Sequence, residues 1–334
     1  MKEFIQLLPK AELHLHIEGS LEPELMFKLA ERNRVEIPYG TVADVKEAYK
    51  FTNLQSFLDI YYAGASVLIN KDDFYDLTYE YILKCVEDNV IHTEIFFDPQ
   101  THTHRGVAFD VVISGIKEAL DDAKEKFGIT SNIIMCFLRH LSQEDAFKTL
   151  EQSLPYKDII IGVGLDSSEL GNPPKKFEDV YNKAREEGFR LVAHAGEEGD
   201  VSYIETALDL LNIERIDHGV QAIHSQSLMQ RLKDEQIPLT VCPNSNIELK
   251  VFETYKDHNI KYLLDYGLNV TVNSDDPAYF KGYMNKNFLN LYEHLDLSKD
   301  DIVTLVKNSF RSSFISDELK ESYIQRVDDY IESR

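Results

Sequence analysis

Short apolar runs that end in polar or charged residues recur eight times along the chain: Ala11–Ile17, Val90–Phe97, Asn132–Leu138, Ile159–Asp166, Arg190–Gly196, Arg215–Val220, Pro238–Pro243 and Asn269–Asp276. Most are rich in β-branched or aromatic residues and are bounded by Gly, Pro, Asn or Asp, which is how strands read. Several are too continuously apolar to have a solvated face, so they read as buried parallel strands.

Helical periodicity fills the gaps, over Val111–Phe127, Glu144–Leu154, Lys176–Glu187, Val201–Leu211, Gln226–Lys233 and His258–Tyr266. Alternation of strand and helix eight times over predicts a (β/α)8 TIM barrel. The competing doubly wound sheet usually carries a Gly-rich phosphate turn after its first strand, and no GxGxxG follows Ala11–Ile17 here. Residues 20–85 exceed the simple repeat. They read as a helical insertion after strand 1, with Pro23–Arg32, Leu54–Ile69 and Asp72–Cys85 helical, placed to cover the barrel mouth. Residues 284–333 read as a helical C-terminal tail, and residues 1–334 as one barrel domain with no second unit.

Composition narrows the partners. With 58 acidic and 35 basic residues the formal charge is −23, so phosphate backbones and anionic membranes are repelled. A neutral or cationic small molecule suits the chain better than nucleic acid. Cys85, Cys136 and Cys242 are odd in number and form no CxxC pair, which argues for a reducing compartment and against a thiolate zinc site. The opening MKEFIQLLPKAELHLH lacks the apolar stretch of a signal peptide, and no run of 18 apolar residues occurs, so the expectation is a soluble, cytoplasmic protein.

Catalytic groups of a TIM barrel sit at the carboxyl ends of its strands. The first run ends in His14-Leu15-His16, the fifth in His194-Ala195-Gly196-Glu197, the sixth in Asp217-His218 and the eighth in Asp275-Asp276. Alternate strand residues face one side, about 6.6 Å apart, so His14 and His16 both point into the barrel. With His194 and Asp275 they make an N3O donor set. Neutral imidazole plus carboxylate suits Zn2+, one per chain, with a position left for water. Iron and manganese fit the same ligands. A second HxH, His102-Thr103-His104, follows Pro99 in what reads as a loop and is expected to bind no metal. His92 and His140 read as structural, and His224, His258 and His294 as surface residues.

These residues lie in the motifs HLHIEGS (14–20), HAGEE (194–198), DHG (217–219), CPNSN (242–246) and NSDDPAYF (273–280). As an ordered set they resemble the adenosine/adenine deaminase family of the amidohydrolase superfamily. FFDPQTHTHRGV (96–107), MCFLRHLS (135–142) and VGLDSSELG (163–171) make the resemblance strongest to its bacterial and fungal adenine deaminases.

The resemblance implies that His14, His16, His194 and Asp275 are metal ligands. It makes Glu197 the proton donor, His218 the histidine assisting the attacking water, and Asp276 a residue binding the purine ring. The implied reaction is zinc-dependent deamination of adenine to hypoxanthine and ammonia, as in purine salvage. Nucleoside deaminases of the family have Asp where Glu18 stands and Ala-Gly-Asp-Glu where this chain has Ser167-Ser168-Glu169. Glu18 and Glu169 are therefore expected to fill ribose space, with Glu169 at the N3/N9 edge of a free base or, alternatively, capping a loop while Glu18 bonds to backbone. Adenosine and N6-substituted adenines remain alternative substrates. Cytidine-type deamination lacks its PCxxC signature here, and other metal-dependent hydrolysis or purine binding without turnover are further alternatives.

Overall fold

A computed structural model describes residues 1–334. Eight parallel strands lie in sequence order around a barrel: β1 Lys10–His16, β2 Val90–Phe97, β3 Thr130–Leu138, β4 Ile160–Asp166, β5 Arg190–Ala195, β6 Arg215–His218, β7 Leu239–Val241 and β8 Val270–Val272. Each strand pairs with the next. The seam between β8 and β1 is closed by Leu15 against Asp275. There the His16 amide donates to the Asp275 carbonyl at 3.0 Å, and the Asp275 amide to the His14 carbonyl at 3.1 Å. Side chains extend the seam, with Leu13 N donating to Asn273 Oδ1 at 2.8 Å and Ser274 N to Glu12 Oε1 at 3.1 Å.

The apolar runs become strands, but the last three are shorter than the sequence pattern suggests. Regular pairing in β6 stops at His218, in β7 at Val241 and in β8 at Val272. In β6 the cause is local: His218 has a φ of 67°, a left-handed conformation that cannot continue a strand. The helix expected over Val201–Leu211 is α-helical only over Val201–Thr206 and continues as a π turn over Ala207–Leu211.

The insertion after β1 holds four helices, Pro23–Asn33, Val42–Ala48, Leu54–Ala65 and Lys71–Asp88; the second was not evident from the pattern. Leu54–Ala65 begins at a capping box in which Asn53 and Ser56 satisfy each other's backbone amides, removing two orphan donors at the helix start. This helix leans over the barrel mouth and presents Leu54, Phe57, Leu58 and Tyr61 to the cavity there. The tail forms three helices, Met284–His294, Lys299–Ser312 and Asp317–Glu332, and Lys299–Ser312 packs on β1 and β8.

Two expectations about histidines change. His102 is not in a loop but on the short helix Pro99–Thr103, and it is buried. His258, expected at the surface, is buried with its Nε2 3.2 Å from Asn246 Oδ1. Both lie under elements folded back from strand ends, a tertiary feature that local polarity does not report.

One buried ion pair braces the barrel. Arg215, at the start of β6, donates to Glu94 of β2 at 2.5 Å and to the Leu13 and Ser312 carbonyls at 3.1 and 3.4 Å. Both side chains are inaccessible to solvent. Burial alone would raise the Glu94 pKa, but the charges of Arg215 and His92 overcome it and hold the group at about 2. Removing one member leaves the other charged and buried, which costs about 3–5 kcal/mol. Arg215→Met should therefore lower unfolding free energy by about that amount in denaturant titration. Because the folded Glu94 pKa is depressed, its contribution is present above the unfolded carboxylate range and is lost as pH falls toward about 2.

Candidate active site

His14 and His16 alternate along β1 and therefore project to the same side of the strand. His194 ends β5, and Asp275 follows β8 at the closing seam. The structure brings these four sequence-predicted ligands together. Nε2 of His16 lies 3.2 Å from Nε2 of His194. Asp275 Oδ1 is 3.3 Å from His14 Nε2 and 3.6 Å from His16 Nε2. His218 joins the cluster: one donor atom each from His14, His194, His218 and Asp275 lie within 4.8 Å of one another.

The far ring nitrogens face acceptors. His14 Nδ1 lies 3.2 Å from the Thr240 carbonyl and 3.0 Å from Thr240 Oγ1. His16 Nδ1 is 3.4 Å from Asp166 Oδ2, and His194 Nδ1 is 3.7 Å from Asp217 Oδ2. The Thr240 carbonyl holds the His14 ring proton on Nδ1 and leaves its Nε2 as a lone pair; the carboxylates near His16 and His194 favour the same tautomer without bonding to them. Burial first, then the neighbouring imidazoles, push the His194 pKa well below its usual value, and burial lowers that of His16 too. His14 runs the other way: burial would lower its pKa, but Asp275 outweighs it.

The cluster thus fits a cation. Nε2 atoms of His14, His16 and His194 gather around Asp275, His14 Nε2 is buried without a hydrogen-bond partner, and no lysine or arginine lines the cavity. Separations of 3.2–3.6 Å are those of donors sharing one ion at about 2.0–2.2 Å, and the N3O chemistry is that of zinc sites.

Around this centre stand Glu197, His218 and Asp276, all nearly inaccessible. Burial, followed by the charge of Asp275, raises the Glu197 and Asp276 pKa values well above the carboxylate range. Asp275 is pulled the opposite way: burial opposes its ionisation, but His14, His218 and His16 hold it well below. Burial lowers the His218 pKa to about 3. His218 Nε2 sits 3.7 Å from Glu197 Oε2 and 3.6 Å from Asp275 Oδ2. Its Nδ1 lies 3.4 Å from Asn246 Nδ2, and Asn246 is in turn 3.2 Å from His258. Asp276 has its room only because residue 19 is glycine; a Cβ there would stand 1.9 Å from Asp276 Oδ1.

Glu169 and Glu18 do not reach the cavity as the sequence suggested. The Glu169 carboxylate accepts the amides of Gly196, Glu197, Glu198 and Gly199 at 2.7–3.1 Å. It cradles the loop that carries Glu197, and a Cβ at residue 199 would lie 2.6 Å from it. Glu18 accepts the Asp98 amide at 3.2 Å and pairs with His102 Nε2 at 2.8 Å. The loop-capping and backbone-bonding alternatives are what the geometry supports. His102 is thereby occupied, with Arg105 on its other nitrogen, and the second HxH gathers no ligand set.

The cavity holds about 380 Å3 of space and is also lined by Asp98, Asp166, Ser167 and Tyr62. None of these was singled out as a site residue. The strand-end rule applied to β2 and β4 would have found Asp98 and Asp166, since each ends its apolar run as Asp275 does.

A family model described as adenosine deaminase matches residues 9–330. A curated protein named adenine deaminase from Psychrobacter cryohalolentis is 77% identical over 328 residues, 98% of this chain and 99% of that protein. Among solved structures, an adenine deaminase from Arthrobacter aurescens superposes with a TM-score of 0.96 at 49% identity, covering 97% of this chain and 99% of that one. An amidohydrolase from Burkhoderia ambifaria, with bound Zn, superposes at 0.91 with 25% identity over 99% of this chain and 94% of that one.

If the converging lone pairs hold one cation, His16→Ala should purify with metal well below one equivalent by elemental analysis. Full occupancy in that variant would remove His16 from the ligand set.

Proposed function

The chain belongs to the adenosine deaminase family, and we propose that it hydrolyses adenine to hypoxanthine and ammonia with one Zn2+ held by His14, His16, His194 and Asp275. The observation that carries this reading is the juxtaposition, in one cavity, of that donor set with Glu197, an acid whose pKa burial raises. The similarity to proteins named adenine deaminase supports the free base as substrate, and the zinc in the amidohydrolase neighbour supports the metal.

When bound, the ion would acidify a water toward a pKa of about 7 and so supply a nucleophile at neutral pH. The side chains do the rest. His218, neutral because burial suppresses its protonation, can take a proton from the attacking water. Addition at C6 drives electrons onto N1, which then needs a proton. Glu197, whose protonated form burial and Asp275 favour, delivers it. Asp276, protonated for the same reasons, donates a hydrogen bond to N7. Leu54, Phe57 and Leu58 of the overlying helix exclude bulk water, which strengthens each of these interactions. His218 returns its proton to the C6 amino nitrogen, the C6 hydroxyl gives its proton to the Glu197 carboxylate, and the C6–N bond breaks, leaving hypoxanthine and ammonia with both side chains restored.

Glu169 serves this scheme by position. Four amides held by one carboxylate fix the backbone of residues 196–199 and with it the direction of Glu197. The surrounding compartment is read as cytoplasmic, since all three cysteines are free and buried; no helix is long and apolar enough to cross a membrane.

Two measurements test the reading. Glu197→Gln should retain its metal while kcat for adenine falls by about 100-fold or more, the scale of a lost general acid; a near-normal rate would remove Glu197 from that role. Steady-state kinetics with zinc-loaded protein should give a higher kcat/KM for adenine than for adenosine or N6-alkyl adenines. Equal or greater efficiency on adenosine would overturn the free-base assignment.

A further inference from the structure

The cavity has an acidic wall that the proposed chemistry does not use. Asp98 follows β2 and Asp166 ends β4. Both are 2% exposed, and both line the cavity. Asp98 Oδ2 accepts the Tyr61 hydroxyl at 3.0 Å, but Asp98 Oδ1 and Asp166 Oδ1 are buried without any partner. Asp166 Oδ2 stands 3.4 Å from His16 Nδ1 without a hydrogen bond of its own, and the two carboxyls lie close enough to share a proton with each other. One donor atom each of His16, Asp98 and Asp166 lie within 4.8 Å of one another, which puts both acids beside the metal centre but behind His16. Glu197, His218, Asp275 and Asp276 come from the ends of β5, β6 and β8, on the other part of the barrel rim.

A buried acceptor without a donor is costly, and two in one cavity wall call for a ligand that brings a donor. Adenine offers one there. In its ordinary tautomer the ring proton is on N9, across the ring from C6. A purine placed with C6 over the metal centre and its N9 edge toward the ends of β2 and β4 would bring that proton to Asp98. We propose that Asp98, supported by Tyr61 and flanked by Asp166, accepts the N9–H of the purine and is the residue that selects a free base over a nucleoside. A nucleoside has a glycosidic carbon on N9. It brings no proton to Asp98 and pushes a sugar against a buried carboxyl wall, with Glu18 and His102 packed behind it. Sites built to bond a substrate N–H reject an analogue lacking it far more strongly than apolar pockets reject a methylene.

This inference rests on the deaminase reading, and its test separates the two. The probes are adenine and 9-methyladenine, assayed with the zinc-loaded enzyme. The wild-type protein should turn over adenine with kcat/KM about 100-fold or more above that for 9-methyladenine. In Asp98→Ala that preference should shrink at least about ten-fold, chiefly through a higher KM for adenine, with metal content unchanged. Asp98→Asn, which keeps an acceptor oxygen, should retain more of the preference than Asp98→Ala. Comparable rates on both compounds by the wild-type enzyme overturn the role of Asp98 while leaving deamination intact, and need no variant to fold. A preference unchanged in Asp98→Ala also overturns it. Two metal equivalents per wild-type chain, one of them lost in Asp98→Asn, would make this wall a second cation site instead. No turnover of adenine at all would overturn both readings.

Discussion

Three imidazole lone pairs and a carboxylate oxygen aimed at one point repel one another unless a positive charge sits among them. That constraint organises the rest of the molecule. The His14 ring is held by Thr240 on its Nδ1, and Asp166 and Asp217 stand beside Nδ1 of His16 and His194. The strands cannot separate, because the backbone groups of His14, His16 and Asp275 themselves form the β8–β1 closure. The barrel is therefore shut by the residues that converge at its mouth, so the fold and the site are one hydrogen-bonded arrangement. Left-handed backbone at Ser167, His218 and Asp275, with φ of 73°, 67° and 65°, is strain of the kind that persists only where surrounding structure enforces it.

The same centre divides otherwise similar carboxyl groups. Asp275 and Asp276 are neighbours in sequence and equally buried, yet one is held ionised by three histidines and the other is driven toward its neutral form by burial and by Asp275 itself. Glu197 follows Asp276 for the same causes. One carboxyl pulled toward its ionised form and two pushed toward their neutral forms suit the addition of water to a purine, and no lysine or arginine lines that cavity.

The fold was legible because parallel-barrel strands announce themselves as continuous apolar runs, and a strand-end rule then turned His14, His16, His194 and Asp275 into one site. Legibility failed where tertiary contacts decide. Glu169 looks like a substrate residue in the sequence because it stands at a departure from a family pattern, but a carboxylate can satisfy four amides as readily as a ligand, and only coordinates distinguish them. His258 and His102 sit in polar segments that happen to fold inward. The end of β6 reads as strand because its run continues to Val220; the reversal of φ at His218 leaves no mark in composition. Asp98 and Asp166 obey the same strand-end rule as the ligands and lie inside FFDPQTHTHRGV and VGLDSSELG, but those motifs point to a family and not to a role for either carboxylate.

The central claim is a single cation at the meeting point of those four side chains. Its most direct test is a crystal of the protein as purified, with diffraction collected on either side of the zinc absorption edge. The account predicts one anomalous peak per chain, present above the edge and absent below it, about 2.0–2.2 Å from Nε2 of His14, His16 and His194 and from an Asp275 oxygen. A peak seated instead between Asp98 and Asp166, or no peak from protein grown with zinc supplied, would contradict it.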